Sequence, residues 1–162
     1  MKKLIIMIIV TTGIAAAGWY PSLGASAYFP PDGGVAVYYH GGVGYAFPGG
    51  WDTEVGIGYV EWTQDEQNFS IMPVMLTGTY HFLPRRSVLD VYSGLGLGYA
   101  WRHMGNAGDD NSPCGQVFAG TTLSVGRVFG IGVSGGYLAS DLNHIDDGGF
   151  GLGVNLGVGV PF

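Results

Sequence analysis

Charge is scarce in this sequence: Asp, Glu, Lys and Arg together make up 11% of its 162 residues. Soluble domains carry about 25%, so too little charge is present to cover an ordinary water-facing exterior. Bases are scarcer than acids, six against twelve. Lys2 and Lys3 belong to the N-terminal leader, which leaves four bases facing twelve acids, a balance of −8. That sign excludes nucleic acid as a partner, because a phosphate backbone calls for a basic face. Cysteine occurs once, at Cys114, which excludes an intramolecular disulfide. No histidine or second cysteine stands at metal-ligand spacing from it, so it reads as a loop thiol, and neither metal nor cofactor is implied. Long apolar runs are missing as well. The longest, Leu4 to Ile14, covers 11 residues, against the roughly 20 that a spanning helix needs.

That run follows Met1-Lys2-Lys3 and precedes Ala15-Ala16-Ala17, the order of a secretory signal: basic start, apolar middle, small residues at the cut. Ala25-Ser26-Ala27 is a second candidate cut by the same rule. What the chain has in abundance is glycine, 31 residues, and aromatics, 14%, too many rings for a disordered segment. Beyond the leader apolar residues recur with a period of two, and no helical period competes. Eight strands are expected: Gly18 to Phe29, Val35 to Phe47, Trp51 to Trp62, Phe69 to Phe82, Val88 to Arg102, Gly115 to Arg127, Phe129 to Ser140, and Phe150 to Phe162.

Short connections at 48–50, 83–87 and near 127–129 hold Arg85, Arg86 and Arg127 and are assigned to the periplasmic side. The longer ones, Pro30 to Gly34, Thr63 to Asn68, His103 to Cys114 and Asp141 to Gly149, are read as outer loops. They carry Asp32, Asp65, Glu66, Asp109, Asp110, Asp141, Asp146 and Asp147. Bacterial barrels have an even strand number with both ends on one side. A cut after Ala27 would remove the first strand, so the expected division is a signal peptide at 1–17 and a single barrel domain at 18–162.

The last strand shows which way the barrel faces. Phe150, Leu152, Val154, Leu156, Val158, Val160 and Phe162 share one face, opposed by Gly151, Gly153, Asn155, Gly157, Gly159 and Pro161. In a soluble barrel the large face would fill the interior. An eight-stranded barrel is barely wide enough for side chains, however, and its glycine-lined exterior would have almost no charge. Turning the large face to lipid removes both difficulties, and closure pairs every backbone group as hydrocarbon requires. The fold class is therefore all-β, an eight-stranded antiparallel transmembrane up-and-down barrel in the outer membrane, with lipid as its first partner. Aromatics near the strand ends, among them Trp19, Tyr45, Phe47, Trp51, Tyr80 and Phe82 at one end and Phe29, Tyr59, Phe69, Trp101, Tyr137 and Phe150 at the other, read as interface girdles.

The stretch Ile71 to Phe82, a short turn, then Asp90 to Tyr99 resembles the fourth and fifth strands of small outer-membrane barrel proteins. The chain end, Gly157 to Phe162, is similar to the C-terminal signal that they present to the barrel-assembly machinery, here Leu156, Val158, Val160 and Phe162, with Pro161 as a departure. The resemblance is nearest to the family of outer membrane protein W and related porin-like eight-stranded proteins. It implies architecture rather than activity, and the shorter loops here leave a family ligand path unsupported.

Polar residues expected in the lumen include His40, Asp52, Glu54, His81, Asp90 and Arg102, with Thr77, Thr79, Gln116, Thr122 and Ser124. Glycines that fail to fill the middle favour a pore or cavity for a small solute. Pairing of Arg102 or His81 with a carboxylate favours a plug. Catalysis would need a nucleophile beside an oriented base. The run His103-Met104-Gly105-Asn106-Ala107-Gly108 faintly resembles a His-x-Ser-Asn-Ala-Gly run of lipid A deacylases, but Gly105 stands where the serine would be, and no catalytic residue is assigned. Asp109, Asp110, Asp146 and Asp147 could gather divalent cations, or could simply be solvated turn residues. The expected role is structural or envelope-maintaining, the alternative a narrow channel for small or hydrophobic solutes; adhesion ranks third.

Overall fold

The structure is a computed structural model describing residues 18–31, 34–83, 88–125, 129–144 and 148–158. Eight strands, β1 (Trp19–Phe29), β2 (Ala36–Ala46), β3 (Trp51–Gln64), β4 (Gln67–His81), β5 (Leu89–Met104), β6 (Asp109–Val125), β7 (Phe129–Ala139) and β8 (Gly149–Val158), follow one another around a closed barrel. Every neighbouring pair is antiparallel, and β1 closes the ring on β8 from Ser22↔Gly157 to Phe29↔Phe150. No described helix is long and apolar enough to cross a membrane; the strands present the apolar surface instead.

Strict alternation puts Val55, Leu76, Leu95, Leu97, Val117 and Val133 on the outside, each more than half exposed. At the rim formed by β1 to β4, aromatic rings touch in series: Trp19 on Tyr45 at 5.2 Å and Tyr45 on Phe47 at 4.9 Å, then Trp51 on Tyr80 at 4.9 Å and Tyr80 on Phe82 at 5.2 Å. Rings with an apolar body and a polar tip suit a headgroup boundary. At the opposite rim Tyr99 and Trp101 face outward, and the Tyr59 hydroxyl donates to the outward Glu61 carboxylate. Phe69 departs from the expected girdle. It shares its face of β4 with the buried Ile71 and stacks on Trp62 at 5.5 Å, so it caps the interior.

Two expected outer loops are mostly strand. β3 and β4 pair as far as Gln64↔Gln67, leaving Asp65 and Glu66 as the turn, with φ of 48° and 63°. Paired positive φ values are what a tight hairpin of this twist demands, and aspartate tolerates them better than most residues. β5 and β6 pair as far as His103↔Asp109, which reduces the expected loop His103 to Cys114 to a 3-10 turn at Gly105–Ala107 closed by Gly108. Asp, Asn, Ser and Pro at 109–113 read as loop by composition. A strand extending beyond the apolar band meets water, however, and there its polar side chains carry no penalty. Cys114 is consequently no loop thiol: it faces inward on β6 and is fully buried.

The lumenal glycines are seats for aromatic rings. A Cβ on Gly44 would strike the ring of Tyr20, on Gly58 that of Tyr38, on Gly94 that of Phe118, and on Gly120 that of Tyr92. Space expected to lie empty is thus occupied from the neighbouring strand. Gly78, by contrast, points outward with nothing within 4 Å of a Cβ. Gly58→Ala is expected to displace Tyr38 and cost about 1–3 kcal/mol by overpacking, whereas Gly78→Ala should stabilise by about 0.5 kcal/mol through lost chain entropy. Urea unfolding of the two variants in lipid vesicles measures the difference.

Candidate functional site: the lumen

β4 ends at the rim that carries the Trp51, Tyr80 and Phe82 rings, with His81 pointing inward between β3 and β5. Its Nε2 lies 3.0 Å from Asp52 Oδ2 and its Nδ1 2.5 Å from Asp90 Oδ2. Ionised carboxylates only accept, so the full bridge needs a proton on each ring nitrogen. Such a ring has no lone pair left with which to act as a base. The bridge ties three consecutive strands across the barrel end, and Tyr92 lies beside it with ring centroids 5.8 Å apart.

Deeper in, the Glu54 carboxylate fills the place left by Gly42, where a Cβ would come within 2.7 Å of its Oε1. Gln116 Nε2 donates to Thr77 Oγ1 at 3.1 Å, joining β6 to β4. His40 lies on the same lumenal face beside Tyr38, ring centroids 5.7 Å apart.

Above these polar groups the lumen is apolar. Tyr28, Val60, Ile71, Met75, Ala100, Cys114 and Leu138 form one buried cluster, with Tyr38 and Trp62 packed against it. Pro73 is also fully buried, and the Tyr28 and Trp62 rings approach to 5.9 Å. This layer is hard to see in the sequence because the small inward residues of β5, β7 and β8 dominate the pattern. The signal was nevertheless present: Val60 and Trp62 in β3, and Ile71 and Met75 in β4, are large residues at inward parity.

Over the apolar layer sits Arg102, whose side chain is 5% exposed. Its Nη2 donates to Asp110 Oδ2 at 2.5 Å and to Asp141 Oδ2 at 3.1 Å, joining β5, β6 and the turn after β7. Asp141 also accepts the Asn143 backbone N–H at 2.8 Å and faces His144 Nδ1 at 3.2 Å. The Asn143 N–H foremost, with His144 and Arg102 adding, holds the Asp141 carboxyl below its usual range against the opposing effect of burial.

The structure thus brings Asp52, His81 and Asp90 together at one end, sets Glu54 and His40 between, and places Arg102 at the other. Of the acidic residues considered for cation binding, Asp109 faces His103 Nδ1 at 2.6 Å and Asp110 is held by Arg102. Among the described residues no group of three or more His, Cys, Asp or Glu side chains is placed to hold a metal ion. Gly105, in the run compared with lipid deacylases, occupies a turn at φ 55° and offers no nucleophile. The leader, Asp32, Arg85, Arg86, Arg127, Asp146, Asp147, Val160 and Phe162 lie outside the described residues. For Leu156 and Val158 the backbone pairing is described, with Leu23↔Leu156 and Phe129↔Val158.

No protein-family model matches the sequence, and neither does any curated protein. Solved structures do match in fold. Neisserial surface protein A aligns with a TM-score of 0.70 at 16% identity, over 90% of this chain and 98% of that one. The N-terminal β-barrel domain of Pseudomonas aeruginosa OprF aligns at 0.61 and 19% identity, over 86% and 96%. The outer membrane enzyme PagL aligns at 0.56 and 15% identity, over 86% and 99%. At such identities the likeness shows a shared eight-stranded barrel fold; it transfers no activity.

Proposed function

We propose that the chain is an exported outer-membrane barrel with a structural, envelope-maintaining role and a lumen closed to solutes. One observation supports this above the others: the apolar layer of Tyr28, Val60, Ile71, Met75 and Trp62 lies across the interior, with bridged charges on either side of it. Water and ions crossing it would lose their hydration without polar partners. Lipid covers the outward apolar face, and the alternating end from Leu156 to Phe162 serves as the signal for the assembly machinery.

The alternative role, a narrow porin-like channel for small or hydrophobic solutes, would require those rings to move. Planar-bilayer recording of the purified protein is expected to show no single-channel steps. Reproducible steps at neutral pH would refute the closed lumen.

The signal peptide is proposed to end at Ala17. Gly18 already belongs to the wall, its carbonyl accepting the Ala46 N–H at 2.8 Å, and a cut after Ala27 would remove most of the strand that closes the barrel. Outer-membrane protein should shift in mobility on boiling and begin at Gly18. A chain beginning at Tyr28 would overturn the assignment.

A further inference from the structure

β6 stands higher than its neighbour. Its pairing with β7 begins at Gly115↔Ala139, whereas the strand itself begins at Asp109. Residues 109–114 therefore have β5 on one side and, among the described residues, no strand on the other. Such an edge is a template for adding another strand.

The hydrogen-bond pattern identifies what this edge presents. Ser124 donates its N–H to Val88 on the β5 side, and the β5–β6 register runs without slip from Leu89↔Leu123 to His103↔Asp109. Even-numbered residues of β6 therefore bond to β5, and Asp109, Asn111 and Pro113 face the open side. Pro113 has no N–H to offer, and its carbonyl accepts the Leu142 N–H at 2.9 Å. The Asn111 N–H is taken by Asp110 Oδ1 at 2.7 Å. The other oxygen of the same carboxylate is pinned by Arg102, which keeps Asp110 folded over its own backbone. Ser112 Oγ donates to the Ser140 carbonyl at 2.8 Å, drawing the end of β7 alongside.

We propose that Asp110 and Pro113 close this edge and so keep the barrel monomeric. Without them, the edge pairs with the same edge of a second copy about a two-fold axis. Asp110 thus guards the strand edge by holding the Asn111 N–H.

The test uses the full chain folded in detergent, its mass read by light scattering and its fold by mobility before and after boiling. Wild type is expected to be monomeric. Pro113→Val leaves the Arg102–Asp110 pair intact and restores one edge N–H, and it should raise the dimer fraction severalfold. Asp110→Ala combined with Pro113→Val should be mainly dimeric. In a Cys114→Ala background, Asn111→Cys should cross-link between copies in these variants and not in an otherwise wild-type edge. Folded Pro113→Val protein that stays monomeric would overturn the proposal, as would a dimer that fails to cross-link at position 111 or a wild-type barrel that does cross-link there.

Discussion

Arg102→Ala should destabilise the barrel by about 3 kcal/mol, the lower end of the cost of leaving a buried charge without its partner. The Asp141 side chain is only 7% exposed and loses its guanidinium, while the Asn143 N–H and His144 remain to soften the loss. Asp110 is 59% exposed on its side chain and turns to water at little cost. The Asp141 contribution also has a predictable pH dependence. Its carboxyl is depressed in the folded protein, so the stabilisation is fully present above the ordinary aspartate pKa of about 3.9. It is lost as pH falls through the lower folded value. Urea midpoints measured from pH 7 to pH 3 should therefore stay apart for wild type and Asp141→Asn above about pH 4 and draw together as pH falls below it. A constant separation across that range would mean that Asp141 is not the titrating partner.

Leu97→Arg should be similarly damaging for a different reason. Leu97 lies near the middle of β5, faces outward and is 59% exposed. With hydrocarbon around it, an arginine there costs about 2–4 kcal/mol. In water the same change at an exposed site would stay within about 0.5 kcal/mol. Vesicle unfolding of Leu97→Arg beside His103→Arg, which sits at the end of β5, separates the two cases. Equal, small effects at both positions would place the large face in water.

These outcomes depend on features of unequal legibility. Alternation in β5 and β8 is clean because a thin lipid-facing wall imposes one requirement at every second residue, so strand number, closure and facing direction are readable from residues such as Leu95, Leu97, Leu152 and Val154. The height of β6 is not readable in that way. Beyond the apolar band both faces of Asp109 to Pro113 tolerate polar residues, so the pattern that marks a strand disappears although the pairing continues. Phe69 differs from its sequence expectation for a related reason: proximity to a strand end suggests a girdle, while its parity with Ile71 and Met75 points inward.

The lumen divides similarly. His81 and Arg102 could be paired with carboxylates from charge alone, but the particular partners, Asp52 with Asp90 and Asp110 with Asp141, follow from register and from the height of the β5–β6 hairpin. The ring seats on Gly44, Gly58, Gly94 and Gly120 require knowledge of which residue lies on the neighbouring strand, and a run of glycines viewed alone suggests a void.

The most direct measurement of the inside-out barrel is the accessibility of a spin label at Leu97→Cys and, separately, at Thr77→Cys, in a Cys114→Ala background in lipid vesicles. The outward position should be open to oxygen dissolved in the bilayer and closed to a water-soluble nickel relaxant, while the inward one should be shielded from both. A label at position 97 relaxed chiefly by the aqueous reagent would contradict the account.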